Sequence, residues 1–241
     1  MVLSRRHKVG VISLLIYWPT IFVLTHIPIP QLVRMAGVSD KALHFIAYMV
    51  LVVLVWFAVN PYRKVNWRRA AVWWILFVMV WYGVIDEWLQ SYMGRGADVR
   101  DFLANLSGTV AGLIILSLVG FWYALFAVTG ICIFSLANLT RVNPADLVPV
   151  LNIVFYLFGY GLFTMLWIQC MRHCLSIKPA QPKWLIMSLA VPIVFLAAVE
   201  LFSAVAGNGF RLQDIVMGTV GIACVVGTIF SMALLRRTSN R

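Results

Sequence analysis

Charge is what this chain has least of. Only 11% of its 241 residues are Asp, Glu, Lys or Arg, where soluble domains carry about 25%. Acids are the scarcer sign, at 8 residues, and 63% of the chain is apolar, with a mean hydropathy of +0.94. That balance excludes water as the main solvent. Cysteine is sparse too. Cys132, Cys170, Cys174 and Cys224 all lie in or beside apolar segments, so no disulfide framework organises the fold. The sequence holds no glycine-rich phosphate loop, no H-E-x-x-H pair and no serine nucleophile elbow. Cys170, His173 and Cys174 are too few for a thiolate metal centre. Neither a metal nor a cofactor is therefore expected.

What the chain does have is long apolar runs, near 9–27, 41–59, 70–90, 101–120, 122–139, 151–170, 184–202 and 214–235. A membrane-spanning helix needs about 20 such residues. Barrel strands would be about ten residues long and alternate in polarity. The runs therefore predict an all-α, polytopic transmembrane bundle of about eight helices. The apolar stretch through Gly120 is too long for one span of about 30 Å and reads as two helices meeting there. Met1 to Ile27 resembles a signal peptide, with Arg5, Arg6 and Lys8 ahead of an apolar run. It shows no small-residue cleavage site, so an uncleaved first helix is expected.

The net charge of +11 does not signal nucleic acid, because the basic residues flank apolar runs, where they set topology. With the N-terminus inside, 13 of the 19 Lys and Arg residues fall on cytoplasmic segments and 6 on the opposite side. Both termini are then cytoplasmic. All 8 acids (Asp40, Asp86, Glu87, Asp98, Asp101, Asp146, Glu200 and Asp214) fall at the outer face or at outer helix ends.

The chain also echoes itself. The segment from Glu87, EWLQSYMGRGADVRDFLANLSG, lies over that from Glu200, ELFSAVAGNGFRLQDIVMGTVG, without a gap. Glu87, Gly94, Gly96, Asp101 and Gly108 then meet Glu200, Gly207, Gly209, Asp214 and Gly221. Asp40, His44 and Tyr48 sit opposite Asn152, Tyr156 and Tyr160 with one residue of slippage. Four helices per half is an even number, which implies two parallel four-helix repeats, 1–120 and 121–241.

Three polar groupings mark outer helix ends of the first half. In SDKALHFIAY, Asp40, His44 and Tyr48 step by four along one helical face. In GVIDEWLQ, Glu87 and Gln90 share a face, with Asp86 adjacent. In MGRGADVRD and the helix after it, Asp101, Asn105, Gly108 and Gly112 make a polar-then-small stripe. Capping alone would account for Asp40 and Asp101, and close helix packing for Gly108 and Gly112. Glu87 is harder to explain so, because an ionisable group inside an apolar helix is costly and should face the bundle interior with a partner. Arg95, Arg100 and His44 are the candidates for that partner. A purely structural ion pair is the alternative.

At these residues the sequence resembles the VanZ-like family of small bacterial membrane proteins. Asp40-Lys41 and His44-Phe45-x-x-Tyr48 open one helix, and Glu87-x-x-Gln90 closes the next. Gly94-Arg95 then leads to Asp101-x-x-x-Asn105-x-x-Gly108. Met93 stands where the family often has proline. The resemblance covers residues 9–120; the second half lacks counterparts of His44, Arg95 and Asn105. It implies a bacterial inner-membrane, cell-envelope protein with a link to glycopeptide (teicoplanin) resistance, but supplies no reaction. The expected partners are membrane lipids and a lipid-linked or cell-wall substrate. In the catalytic version His44, Glu87 and Asp101 carry the chemistry, His44 as general acid or base. Asp40, Lys41, Tyr48, Gln90, Arg95, Arg100 and Asn105 would then hold the substrate. A lipid-translocating transporter and a non-catalytic scaffold are the other readings.

Overall fold

The computed structural model describes residues 5–26, 40–61, 63–93, 98–138, 149–174, 181–207, 209 and 211–239. These hold eight α-helices and no strand: α1 (Arg5–His26), α2 (Asp40–Val59), α3 (Ala70–Tyr92), α4 (Val99–Leu118), α5 (Phe121–Asn138), α6 (Pro149–Cys174), α7 (Pro182–Val205) and α8 (Leu212–Ser239). The expected runs and the observed helices coincide to within a few residues. Helices α2 to α8 are each long and apolar enough to cross a membrane, whereas the apolar stretch of α1 is the shorter His7–Val23. The chain is a multi-pass membrane protein.

The helix boundaries have local causes. At the start of α4 the Asp98 carboxylate accepts the Arg100 backbone N–H at 2.9 Å, satisfying one of the donors a helix leaves open. Capping therefore belongs to Asp98, and Asp101 is free to turn inward. The backbone becomes extended at Val119, and the Gly120 carbonyl already accepts the Ala124 N–H of α5. The two helices thus part where the length argument placed the break. At the same end of α4, Lys64 Nζ donates to the Leu118 carbonyl at 2.7 Å, a cation on a helix C-terminus.

Two compact units divide the chain, Met1–Val128 and Thr129–Arg241. In the first, α2 is buried nearly all round and packs most extensively against α4. The approach is close because a Cβ at Gly108 would lie 2.9 Å from the Phe45 carbonyl carbon, and one at Gly112 would lie 3.0 Å from the Met49 oxygen. Helix α3 buries one stripe, Val72, Ile75, Met79, Gly83, Asp86, Glu87 and Gln90, at helical spacing. Its other face shows Trp73, Trp74, Trp81 and Trp88, all more than half exposed. That face suits lipid, so these indoles are not part of the core.

In the second unit α6 packs most against α8, and α7 covers both. Trp184, Ser188, Pro192, Leu196, Val199 and Glu200 form the buried stripe of α7. From Ser188 onward, each buried residue stands 113 positions after a buried residue of α3. A Cβ at Gly221 would lie 3.2 Å from the Leu157 carbonyl carbon, as Gly108 meets Phe45 in the first unit.

Candidate functional site

Helices α2, α3 and α4 end together at one tip of the first unit, each turning polar groups inward. From α2 comes His44, which is 3% exposed. Its Nδ1 lies 2.9 Å from Asn105 Oδ1 of α4, and Asn105 Nδ2 lies 3.3 Å from Glu87 Oε1 of α3. A carboxylate only accepts, so the Asn105 amide must donate to Glu87 and present its oxygen to His44. His44 Nδ1 therefore carries the proton and donates it to that oxygen. In the neutral ring this selects the Nδ1–H tautomer, with the lone pair on Nε2. Among the described residues His44 Nε2 makes no hydrogen bond, and Asp40 Oδ1 stands 4.0 Å from it. Nδ1 also stands 3.9 Å from Glu87 Oε1.

Around this buried line the other expected residues take definite places. Asp40 opens α2 and is half exposed. Lys41 Nζ lies 3.4 Å from both Asp98 Oδ2 and Asp101 Oδ1, tying α2 to the start of α4. Asp98 stands outside the spanning segments. The Arg100 N–H, and then the Lys41 ammonium, hold its carboxyl below the usual carboxylate range. Asp101 itself is buried. Gln90 Nε2 donates to Asp86 Oδ2 at 3.3 Å. Tyr48 is buried one turn below His44, its ring 5.7 Å from that of Tyr82. Arg100 is exposed on the first turn of α4. Arg95, with Gly94, lies outside the described residues. Of the partners expected for Glu87, the described residues bring His44 to it, with Asn105 between.

Two further side chains join this cluster, one that the sequence placed only as a neighbour of Glu87 and one that it did not place. Asp86 is buried beside Glu87, and His26, at the end of α1, stands with Nε2 3.7 Å from Asp86 Oδ1. His26 Nδ1 donates to the Phe22 carbonyl at 2.8 Å. Asp86 was legible, since the stripe through Met79 and Gly83 steps onto it. His26 was not. Helix α1 reaches this place because it packs on α2 and α3, through Tyr17 Oη donating to the Ala47 carbonyl at 3.1 Å and Trp18 meeting Tyr82 edge-on at 5.5 Å.

Residues 11–122 match the VanZ/LLP1 family. The first half of this chain is VanZ-like. The match spans α2, α3 and α4 whole, so the paired helix tips of the VanZ-like half are what the sequence resemblance pointed to. Neither a curated protein nor a solved structure matches the chain.

The second unit gathers a reduced set at the corresponding helix ends. Asn152 Nδ2 donates to Asp214 Oδ1 at 2.6 Å, and both are buried, as is Glu200. Tyr156 is buried with them, and its ring stacks at 5.9 Å on that of Tyr160. This described set holds no histidine and no lysine.

Proposed function

We propose that this protein sits in the inner membrane of a bacterial cell envelope and binds an envelope component with an anionic headgroup at the outer leaflet. The observation that carries this reading is the buried Glu87–Asn105–His44 line, which ends in a bare imidazole nitrogen beside half-exposed Asp40 and Lys41. Holding three polar groups in register inside an apolar bundle costs stability unless each is satisfied. Here Asn105 bonds to both neighbours, while His44 Nε2 and Glu87 Oε2 lie beyond its reach. A lone pair so placed can take a proton from a bound hydroxyl or coordinate a cation. Lys41 and Arg100 are the described cations at this rim. In this proposal both termini are cytoplasmic and the acid-bearing helix tips face outward. A link to glycopeptide resistance would follow from occupancy of a lipid-linked cell-wall component.

The test is mass spectrometry of lipid retained by the full chain purified in native nanodiscs. Wild type should retain an anionic envelope lipid that His44→Ala and Lys41→Ala lose. An identical lipid complement in all three refutes the reading.

A second reading draws on the matched burial of Glu87 and Glu200. We infer that the two units are parallel repeats and that the second, with its base and lysine replaced, is a degenerate copy. In a transporter, Glu200 would then bind the same headgroup within its own unit as Glu87 does in the first. Transport by reconstituted vesicles that ceases in Glu200→Gln would favour it over binding alone.

A further inference from the structure

The proposed anionic ligand faces an electrostatic obstacle at this rim. Among the described residues Asp40, Asp86, Glu87, Asp98 and Asp101 outnumber Lys41 and Arg100, and Asp86, Glu87 and Asp101 are buried. An anion brought to such a place is repelled unless a cation stands between. The geometry points to that cation: we propose that His44, Asp40 and Asp101 form a divalent-cation site whose ion bridges the protein to the headgroup. This rests on the headgroup reading and deepens it.

Each donor has its own reason to serve. One imidazole nitrogen and one oxygen from each carboxylate already lie within 4.8 Å of one another. Ligands sharing one ion at about 2.1 Å stand roughly 3–4 Å apart, so a modest contraction closes the set. Asp40 supplies that movement, being half exposed on the first residue of its helix. The second, independent indication is His44 itself. It is 97% buried by its 3% exposure, its Nδ1–H is engaged with Asn105, and its Nε2 makes no hydrogen bond among the described residues. A metal-binding histidine has this arrangement, with its other ring nitrogen donating to an outer oxygen that fixes tautomer and orientation. Asn105 is in turn anchored by Glu87, which extends the support one residue further.

Mixed imidazole and carboxylate donors suit Mn2+ or Zn2+. Three protein ligands leave coordination positions for water or for phosphate oxygens. Lys41 now contacts Asp101 at 3.4 Å and would yield that carboxylate to the ion. It keeps Asp98, also at 3.4 Å, and its exposed ammonium can follow the headgroup. The acidic rim and the anionic ligand then no longer conflict.

The probe is Mn2+ alone, titrated into full-length, chelator-treated protein in nanodiscs of neutral lipid and followed by the loss of the free-ion electron paramagnetic resonance signal. Wild type should bind about one Mn2+ per chain. Asp40→Asn, at a half-exposed position, should fold normally and bind about tenfold more weakly, and His44→Gln should weaken binding by at least as much. Asn105→Leu, which touches no ion, should lower affinity about tenfold through the lost orientation of His44. Absence of stoichiometric binding, or binding unchanged in Asp40→Asn and His44→Gln, overturns the site. Anionic lipid that stays bound in chelator would also overturn the bridge while leaving the headgroup reading intact. Mn2+ binding without any retained anionic lipid would do the reverse.

Discussion

Consider removing the two ends of one hydrogen bond, separately and together. His44 Nδ1–H donates to Asn105 Oδ1 over 2.9 Å, with His44 3% and Asn105 1% exposed. Hydrogen bonds between membrane helices average about 0.6 kcal/mol in coupling and reach about 1.7 kcal/mol. This one belongs near the upper value, because Asn105 is simultaneously held by Glu87 at 3.3 Å and water has no access to replace it. Asn105→Leu leaves both the His44 Nδ1–H and Glu87 Oε1 unmet, each a loss of about 1–3 kcal/mol, partly offset by the added apolar burial. A net destabilisation of about 2–3 kcal/mol follows. His44→Ala strands only the Asn105 oxygen and opens space, for about 1–2 kcal/mol. The double variant should therefore cost about 1–2 kcal/mol less than the two singles together. Reversible unfolding of the full chain in mixed micelles measures all four states. Additivity to within about 0.4 kcal/mol would refute the claim that these side chains form one unit.

Other outcomes follow from the same geometry. Gly108→Ala drives a methyl against the Phe45 backbone, 2.9 Å from its carbonyl carbon, and should cost about 1–3 kcal/mol in the same unfolding assay. Gly227→Ala meets nothing within 4 Å and should stay within about 0.5 kcal/mol of wild type. Gly207, at φ +83°, should lose about 1–2 kcal/mol on substitution by alanine, read as a lowered melting temperature. The Asp98 carboxyl titrates below its unfolded value, so its capping contribution is complete above the ordinary aspartate range and fades as pH falls through the lowered value. Amide exchange at Arg100 should accelerate there in acid, and Asp98→Asn should remove that pH dependence. In a cysteine-free background, an impermeant maleimide should label Tyr92→Cys from outside and Lys64→Cys only after lysis, if the proposed orientation holds.

Much of this was written plainly in the sequence. Spacing by four put Asp40, His44 and Tyr48 on one side of α2, and length alone divided the apolar run at Gly120, because the span of a bilayer is a fixed ruler. The stripe from Asp101 through Asn105 to Gly112 is buried as one face of α4. Other features depend on which helices touch, and periodicity within a helix does not record that. His26 belongs to the same cluster as Asp86, yet 60 positions separate them and no motif joins them. Asn105 read as one member of a stripe, whereas its weight comes from bridging two other helices. The division of labour between Asp98 and Asp101 turned on where the first helical turn begins, a difference of one turn that charge patterning does not resolve. Nor does the sequence tell which face of α3 its indoles cover, because apolar residues in lipid-facing and buried positions look alike when both surroundings exclude water.

The most direct test of the whole account is the protonation pattern of one ring. Nitrogen-15 magnetic resonance of histidine-labelled protein in bilayers, with the His44 signals assigned by their loss in His44→Gln, distinguishes the two imidazole tautomers. A protonated, hydrogen-bonded Nδ1 beside an unprotonated Nε2, with the Nδ1 signal displaced in Asn105→Leu, is the expected result. A His44 ring protonated at Nε2, or one insensitive to Asn105, would contradict it.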